Sequence, residues 1–297
     1  MTNLKYNILV PMDFSEHAGY ALDQAIKLAK LTGGLVHILY VHQDKKGVLA
    51  KLFSQEHADL FDEAVLDKLE KIVKEKQIET GVEFDFDLQH ATSVASKIIE
   101  VANARKSAMI VMGKGRLHDE GVERFIIGSV TSRVIRYSKI PVITTGNPCD
   151  VSSCKNIMLP LDLTKETRQK VSWGIQMAKI FGANIKVVSA LWDKDDPEIV
   201  NPLVAQMKQV KKFIGDAGIQ VSTAIVNSSN TSKDLVSIMM DYIEREGDID
   251  MALIMTQQEN DISSFFLGST ATEFIRKSKI PVMSIIPRDT GSIVLGL

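Results

Sequence analysis

Two groups of residues in the first half of this 297-residue chain have the types and order to hold an anionic ligand. The first is Asp13 in VPMDFSEHA, a carboxylate that directly follows an apolar run and precedes a helical pattern. The second is residues 111–131, VMGKGRLHDEGVERFIIGSVT. Its glycines Gly113, Gly115 and Gly121 would let backbone amides approach a ligand, and Gly128-Ser129 stands where a helix begins. Amides and a hydroxyl at a helix N-terminus hold an anion against the positive end of the helix dipole. Lys114, Arg116 and Arg124 would add positive charge. The chemistry this supports is the binding of a phosphorylated ligand. Plainer explanations stand beside it. Asp13 could accept from first-turn amides as a helix cap, with Glu16 three residues on completing a capping pair. A glycine-containing surface turn followed by a serine cap would account for the second group. A capping carboxylate can still bond a ligand, so the two readings are compatible.

These residues act together only if the fold brings them together, and the periodicity predicts how. Residues 7–12 form an apolar run ending near a proline, as a strand does. Ala18, Ala21, Leu22, Ala25, Leu28 and Ala29 follow at helix spacing until Gly33-Gly34. Residues 35–41 read as a second strand and 57–79 as an amphipathic helix, with Lys68, Lys71, Lys74 and Lys76 among glutamates on its solvated face. Residues 84–88 alternate with Asp85 and Asp87 as a half-exposed strand does. A helix over 94–105, a strand over 108–112, a helix over 128–138 and a strand over 141–144 complete the unit. Strict alternation with near-continuous apolar strands predicts a parallel sheet covered on both faces, a doubly wound α/β domain. Such sheets bind ligands at the strand carboxyl ends where the winding reverses. Asp13 and Gly113 would face each other across that crevice.

The unit occurs twice. IGSVTSRVIRYSKIPVI (127–143) returns as LGSTATEFIRKSKIPVM (267–283), with nine of 17 positions identical at a constant offset of 140. NILVPMD (7–13) returns as NIMLPLD (156–162). Copy-two strands are expected near 156–161, 184–190, 219–226, 250–255 and 281–286. Two domains follow, residues 1–146 and 155–297, joined by the turn-rich GNPCDVSSC. Composition fits a globular chain, 45% hydrophobic and 24% charged, and a net charge of −2 makes no case for nucleic acid or an anionic membrane. No apolar run has the roughly 18 residues a membrane helix needs. The N-terminal stretch lacks a signal-peptide layout. Cys149 and Cys154, the only cysteines, exclude a disulfide scaffold or a four-cysteine zinc site. The expectation is a reduced, cytoplasmic setting.

VPMDFSE near the N-terminus, MG after the fourth strand, and GSVT-x-x-VI-x-x-S-x-x-PV together resemble the universal stress protein family, here in tandem form across essentially the whole chain. The resemblance implies five parallel strands per copy in the order 3-2-1-4-5. For one branch of the family it implies ATP binding through G-x-x-G-x(9)-G-[ST], with Mg2+ accompanying the nucleotide. On this sequence Pro11 and Asp13 would lie near the adenine and ribose, and the backbone of Val41 against the adenine. Met112 and Gly113 would line the ribose–phosphate path, with Gly115 and Arg116 in the phosphate loop. Gly128, Ser129 and Val130 would bind phosphates. The chain departs from the pattern: ten positions before Gly128 stands His118, not glycine. A two-residue insertion, starting the pattern from Gly113, keeps MG directly after the strand and is the preferred register. Copy two departs further, with MTQQENDISSFFLGST lacking both loop glycines. Glu259 and Asp261 would oppose a polyphosphate by about 1 kcal/mol per close like-charge pair in a wet site. Gly268-Ser269 reads simply as a helix start, and copy two as a degenerate partner.

The fifth strand of each copy would be a sheet edge, and an apolar edge such as Val142-Ile143 or Val282-Met283 must be paired or covered. The resemblance implies association through that strand. The copies are therefore expected to pair antiparallel across a pseudo-twofold axis, within reach of a linker spanning at most roughly 30 Å. A homodimer of whole chains stays open. Other signals carry less. GKGRLH lacks the last glycine of a dinucleotide fingerprint and follows the fourth strand instead of the first. All six histidines fall in copy one, but their spacing matches no metal motif, so they read as surface residues and no metal site is assigned. No nucleophile with a neighbouring base is legible, so no catalytic residue is assigned and any hydrolysis would be slow. Three functions stay open: a nucleotide-binding signalling module, an interaction scaffold with empty sites, and a small-molecule enzyme using the crevice.

Overall fold

The computed structural model describes residues 6–44, 55–119, 122–148, 154–161, 167–191, 197–228, 234–256 and 268–287. Copy one runs β1 (Asn7–Pro11), α1 (Glu16–Thr32), β2 (Leu35–Gln43), α2 (Gln55–Thr80), β3 (Glu83–Ala91), α3 (Val94–Ala104), β4 (Met109–Gly113), β5 (Gly115–Asp119), β6 (Val122–Ile126), α4 (Ser129–Tyr137) and β7 (Val142–Thr145). Copy two follows as β8 (Asn156–Pro160), α5 (Thr167–Phe181), β9 (Asn184–Ala190), α6 (Pro197–Asp216), β10 (Val221–Val226), α7 (Leu235–Glu246), β11 (Met251–Met255), α8 (Gly268–Lys277) and β12 (Val282–Ile285).

Local chemistry sets the boundaries. Ser15 caps α1 by accepting from the Ala18 amide at 3.2 Å. The helix stops at Gly33, whose φ of 63° lets its amide turn back onto the Ala29 carbonyl. Asp234 caps α7 through the Ser237 amide at 2.8 Å. The α1 face buries Ala18, Ala21, Ala25 and Ala29, small side chains that let the helix lie close to the strands. Along α2, Lys74 pairs with Glu70 at 2.6 Å and Lys76 with Glu79 at 3.0 Å, contacts worth only tenths of a kcal/mol each.

Within each copy the parallel strands follow the expected order, β3-β2-β1-β4-β7 and β10-β9-β8-β11-β12. The two sheets are one. Their fifth strands lie side by side and antiparallel, with Val282 opposite Thr144, Met283 opposite Ile143 and Ser284 opposite Val142. The result is a ten-stranded sheet, β10-β9-β8-β11-β12-β7-β4-β1-β2-β3. Period-two alternation sends Ile8 and Val10 into one apolar layer and Leu9 into the other, all fully buried. Each layer runs unbroken across the seam. Ile143 and Met283 share the layer beneath α1 and α5, while Val142 and Val282 share the opposite one. Burying one such side chain stabilises by roughly 1.5–3 kcal/mol.

Two expectations need correction. Residues 115–126 are not a loose glycine stretch: β5 and β6 form a separate antiparallel ribbon in which Gly115 opposes Ile126 and Arg116 opposes Phe125. The signal lay in a turn-forming Asp-Glu-Gly between two short alternating runs, which is how a hairpin reads. Nor are all histidines at the surface. His37 is fully buried on β2, its Nδ1 2.5 Å from Asp85 Oδ1, and Arg105 pairs with the same carboxylate. Burial, then the Arg105 charge, pulls the His37 pKa down to about 4, so the ring is neutral at pH 7. Trp173 packs partly buried against the core.

Because the seam buries its side chains on both faces, the copies should hold together without their linker. Co-expressed as residues 1–150 and 151–297, they are expected to co-elute as a 1:1 complex in size-exclusion chromatography. Met283→Asp places a charge at a position with 0% exposure and is expected to separate them. Co-elution of the Asp variant would refute the seam.

Candidate functional site

The β1–β4 switch point of copy one is built by three converging segments. The first is the turn after β1. Pro11 ends the strand half-buried, and the Met12 amide donates to the Leu39 carbonyl at 2.9 Å, tying the turn to β2. Asp13 is exposed, and its Oδ1 accepts from the Ser15 amide at 2.9 Å. Capping of α1 therefore belongs to Ser15, and Asp13 braces the approach to the helix. Phe14 between them has φ of 61°, a left-handed backbone that costs a non-glycine residue roughly 1–2 kcal/mol. It is held there by packing. Its ring stacks on Tyr40 at 5.4 Å, and the Lys68 ammonium sits 4.1 Å above its face. Strain kept in place by such contacts clusters at functional positions. Burial, then the Asp13 and Asp62 charges, raises the Tyr40 pKa, which puts these groups in one electrostatic neighbourhood.

The second segment is the end of β4. Met112 is buried, and a Cβ on Gly113 would fall 2.5 Å from the His17 carbonyl oxygen. Glycine is required there because α1 passes over it, a packing reason the sequence could not reveal. The Gly113 carbonyl accepts from Thr131 Oγ1 at 3.3 Å, fastening α4 to the same strand end. The third segment is the start of α4. Gly128 caps the helix in extended conformation with no side-chain hydrogen bond to the first-turn amides. Gly128 and Ser129 are exposed, Val130 is half-buried, and a Cβ on Gly128 would meet nothing within 4 Å. A glycine at the cap offers no side-chain acceptor to the first-turn amides, which gather with the positive dipole end at the helix start. Val41, half-buried near the end of β2, packs into the layer opposite Tyr40.

The backbone of Gly115 and Arg116 belongs to the β5–β6 ribbon, and the side chains of Arg116 and Arg124 lie outside the described residues. In copy two Asp162, Glu259 and Asp261 also lie outside the described residues.

Lys114, expected from the sequence to add positive charge to the anion site, does something else. It is fully buried, and its ammonium donates to the Ile275 carbonyl at 3.0 Å and to the Ser278 carbonyl, at the carboxyl end of α8 in copy two. The Phe125 ring of β6 covers it at 4.5 Å. That ring is itself buried, and a Cβ on Gly146 would strike it at 2.7 Å. Lys114 thus caps the other copy's helix where orphan carbonyls and the negative dipole end gather. Its burial lowers the pKa to about 7. The sequence held no sign of this, because the partner carbonyls are 161 and 164 residues away.

Lys114→Met should therefore leave two helix-end carbonyls without a donor and destabilise the chain by about 1–3 kcal/mol. The pH dependence carries a sign. The folded value of about 7 lies below the ordinary 10.5, so between them the unfolded chain binds more protons and stability rises with pH. The neutral amine still donates, so the gap between wild type and Lys114→Met should widen from pH 7 to pH 10 in chemical denaturation. A gap that narrows would refute the buried cap.

The sequence profile of the universal stress protein family matches residues 6–145 and again 153–285. A universal stress protein of Methanocaldococcus jannaschii is 30% identical over 148 residues, covering 49% of this chain and 85% of that protein. A Staphylococcus aureus protein named for the same family is 26% identical over 175 residues, 55% of this chain and 95% of its own. The crystal structure of a universal stress protein from Archaeoglobus fulgidus superposes with a TM-score of 0.74 over 95% of this chain and 98% of that one, at 19% identity, a likeness of fold. With both matches together spanning nearly the whole sequence, in a sheet that repeats one doubly wound unit twice, the chain belongs to the universal stress protein family.

Proposed function

We propose that copy one is an adenine-nucleotide-binding module, taking ATP with Mg2+ at the β1–β4 switch point. The observation that carries this reading is the uncapped, exposed start of α4 at Gly128-Ser129, fastened through Thr131 to Gly113. A side-chain-free residue facing open space before unpaired amides fits a phosphate group. Pro11, Asp13 and Val41 would meet the adenosine, Met112 and Gly113 the ribose–phosphate path, and Gly128, Ser129 and Val130 the phosphates. Lys114 is committed to copy two, so the phosphates would rest on amides and the helix dipole in its place. Mg2+ would supply the remaining counter-charge. No nucleophile or general base is assigned, so the module would bind and signal, with hydrolysis slow at most. The β7–β12 seam supports reading the chain as a dimer of family units built into one polypeptide.

A second reading is an interaction scaffold with no nucleotide. The use of Lys114 as an inter-copy cap favours it, since that removes one positive charge from the crevice.

Isothermal titration with Mg-ATP, AMP and ADP distinguishes the two. Gly128→Glu should abolish binding by placing a carboxylate before the amides, while the open space there spares the fold. Gly268→Glu should leave affinity unchanged. Asp13→Ala should weaken binding with little loss of stability, because Ser15 is the helix cap. No affinity for any of the three nucleotides at millimolar concentration would leave the scaffold reading.

A further inference from the structure

The register of β2 on β3 places His42 directly beside His90, near the carboxyl ends of both strands. Alternation turns both side chains to the α2 face of the sheet, as it does Tyr40 and Leu88. Their rings lie 5.0 Å apart at 30°. Asp44 follows β2, and its amide donates to the Ala91 carbonyl at 3.0 Å, so its position is set by the sheet. One donor atom from each of His42, Asp44 and His90 can be chosen so that all three lie within 4.8 Å of one another. The separation of 48 residues between the histidines is why no local spacing betrayed the cluster.

We propose that His42, Asp44 and His90 form a binding site for a borderline divalent metal ion of the Zn2+ class, with Asp62 orienting His90. Two imidazoles and one carboxylate are a nitrogen-rich set that suits Zn2+ and its neighbours better than Mg2+ or Ca2+, which take oxygen ligands. Three protein ligands leave a fourth position for water or an external group.

The surroundings fit such a site. His90 Nε2 lies 2.7 Å from Asp62 Oδ2 on α2, while its Nδ1 lies 3.2 Å from Asp44 Oδ1. A proton on Nε2 held by Asp62 leaves the Nδ1 lone pair directed at Asp44. This is the carboxylate–histidine–metal relay that fixes tautomer and ring orientation in metal sites. The edge of His42 packs against the Phe61 ring at 5.0 Å, which restricts its rotation. His42 is half-buried and Asp44 and His90 are exposed, so an ion can enter from solvent. An imidazole must be deprotonated at the ligating nitrogen, so metal binding competes with protons. Copy two lacks the set. By the pairing of β9 with β8 and β10, Leu191 stands where copy one has His42, and Asn227 where it has His90.

The test is titration of the full chain with ZnCl2 in a non-chelating buffer, by calorimetry, with the visible spectrum of the Co2+ form as a second readout. One Zn2+ per chain is expected, with tetrahedral Co2+ absorption. His42→Gln and His90→Gln should each lower affinity at least about 100-fold, and Asp62→Asn by about 10–100-fold, as loss of an orienting partner does. Affinity should fall as pH drops below neutrality, with proton release on binding. Circular dichroism of the metal-free variants separates loss of ligand from loss of fold. If His90→Gln does not fold, His42→Gln at the strand end carries the same test. No binding at about 100 μM Zn2+, or binding that survives the His42→Gln, His90→Gln double variant, would overturn the site. Unchanged affinity in Asp62→Asn would overturn the orienting role.

Discussion

A doubly wound sheet leaves its outermost strands with unpaired amides and carbonyls, and in both copies one of those strands carries the apolar string Ile-Pro-Val. An edge that is both apolar and unpaired is a template for uncontrolled association. Here the two identical liabilities cancel. Ile143 and Met283 face each other across an antiparallel ladder, and the apolar layers on both faces pass from one copy to the other without a break. The ladder supplies backbone bonds, and the layers make separation expensive in exposed apolar area. Much of what distinguishes copy one from copy two follows from this junction.

The β5–β6 ribbon is the clearest case. It leaves β4 at the point where the family pattern expects a phosphate loop, yet Phe125 and Lys114 turn toward α8 of the other copy. A buried ammonium is tolerable only where acceptors wait for it, and the end of a helix offers several. The seam brings that helix end within reach. A sequence that reads as ligand chemistry thus serves assembly, while the ligand reading retreats to the start of α4, where Gly128 brings no side chain of its own to the amides.

The carboxyl ends of β1, β2 and β3 show a second consequence of parallel winding: all strands open their ends on one side. Side chains distant in sequence meet there, Phe14 with Tyr40 and Lys68, and His42 with His90. The hollow among Lys30, Gly33, Gly34, Thr80 and Glu83 lies at the opposite, amino end of β2 and β3 and shares none of these residues. The strained backbone of Phe14 and the titratable groups gathered around it lie on the carboxyl side of the copy-one sheet.

The sequence by itself determined the repeat, the alternation of strands and helices, and the strand order, because these rest on periodicity and on a family pattern spanning both copies. It also set Asp13 and Gly113 just after or at the ends of neighbouring strands, β1 and β4, because strand ends at a switch point are fixed by topology. Local chemistry was less legible. Asp13 and Ser15 both suit a helix start, and only the backbone geometry decided that Ser15 caps while Asp13 braces the turn. Gly113 read as a residue for ligand approach, whereas the passage of α1 over it supplies a steric reason. Lys114, His37 and the His42–His90 pair were settled by tertiary structure alone. Each depends on a partner dozens to more than a hundred residues away, and no periodicity of the chain records which side chains the folded sheet will set side by side.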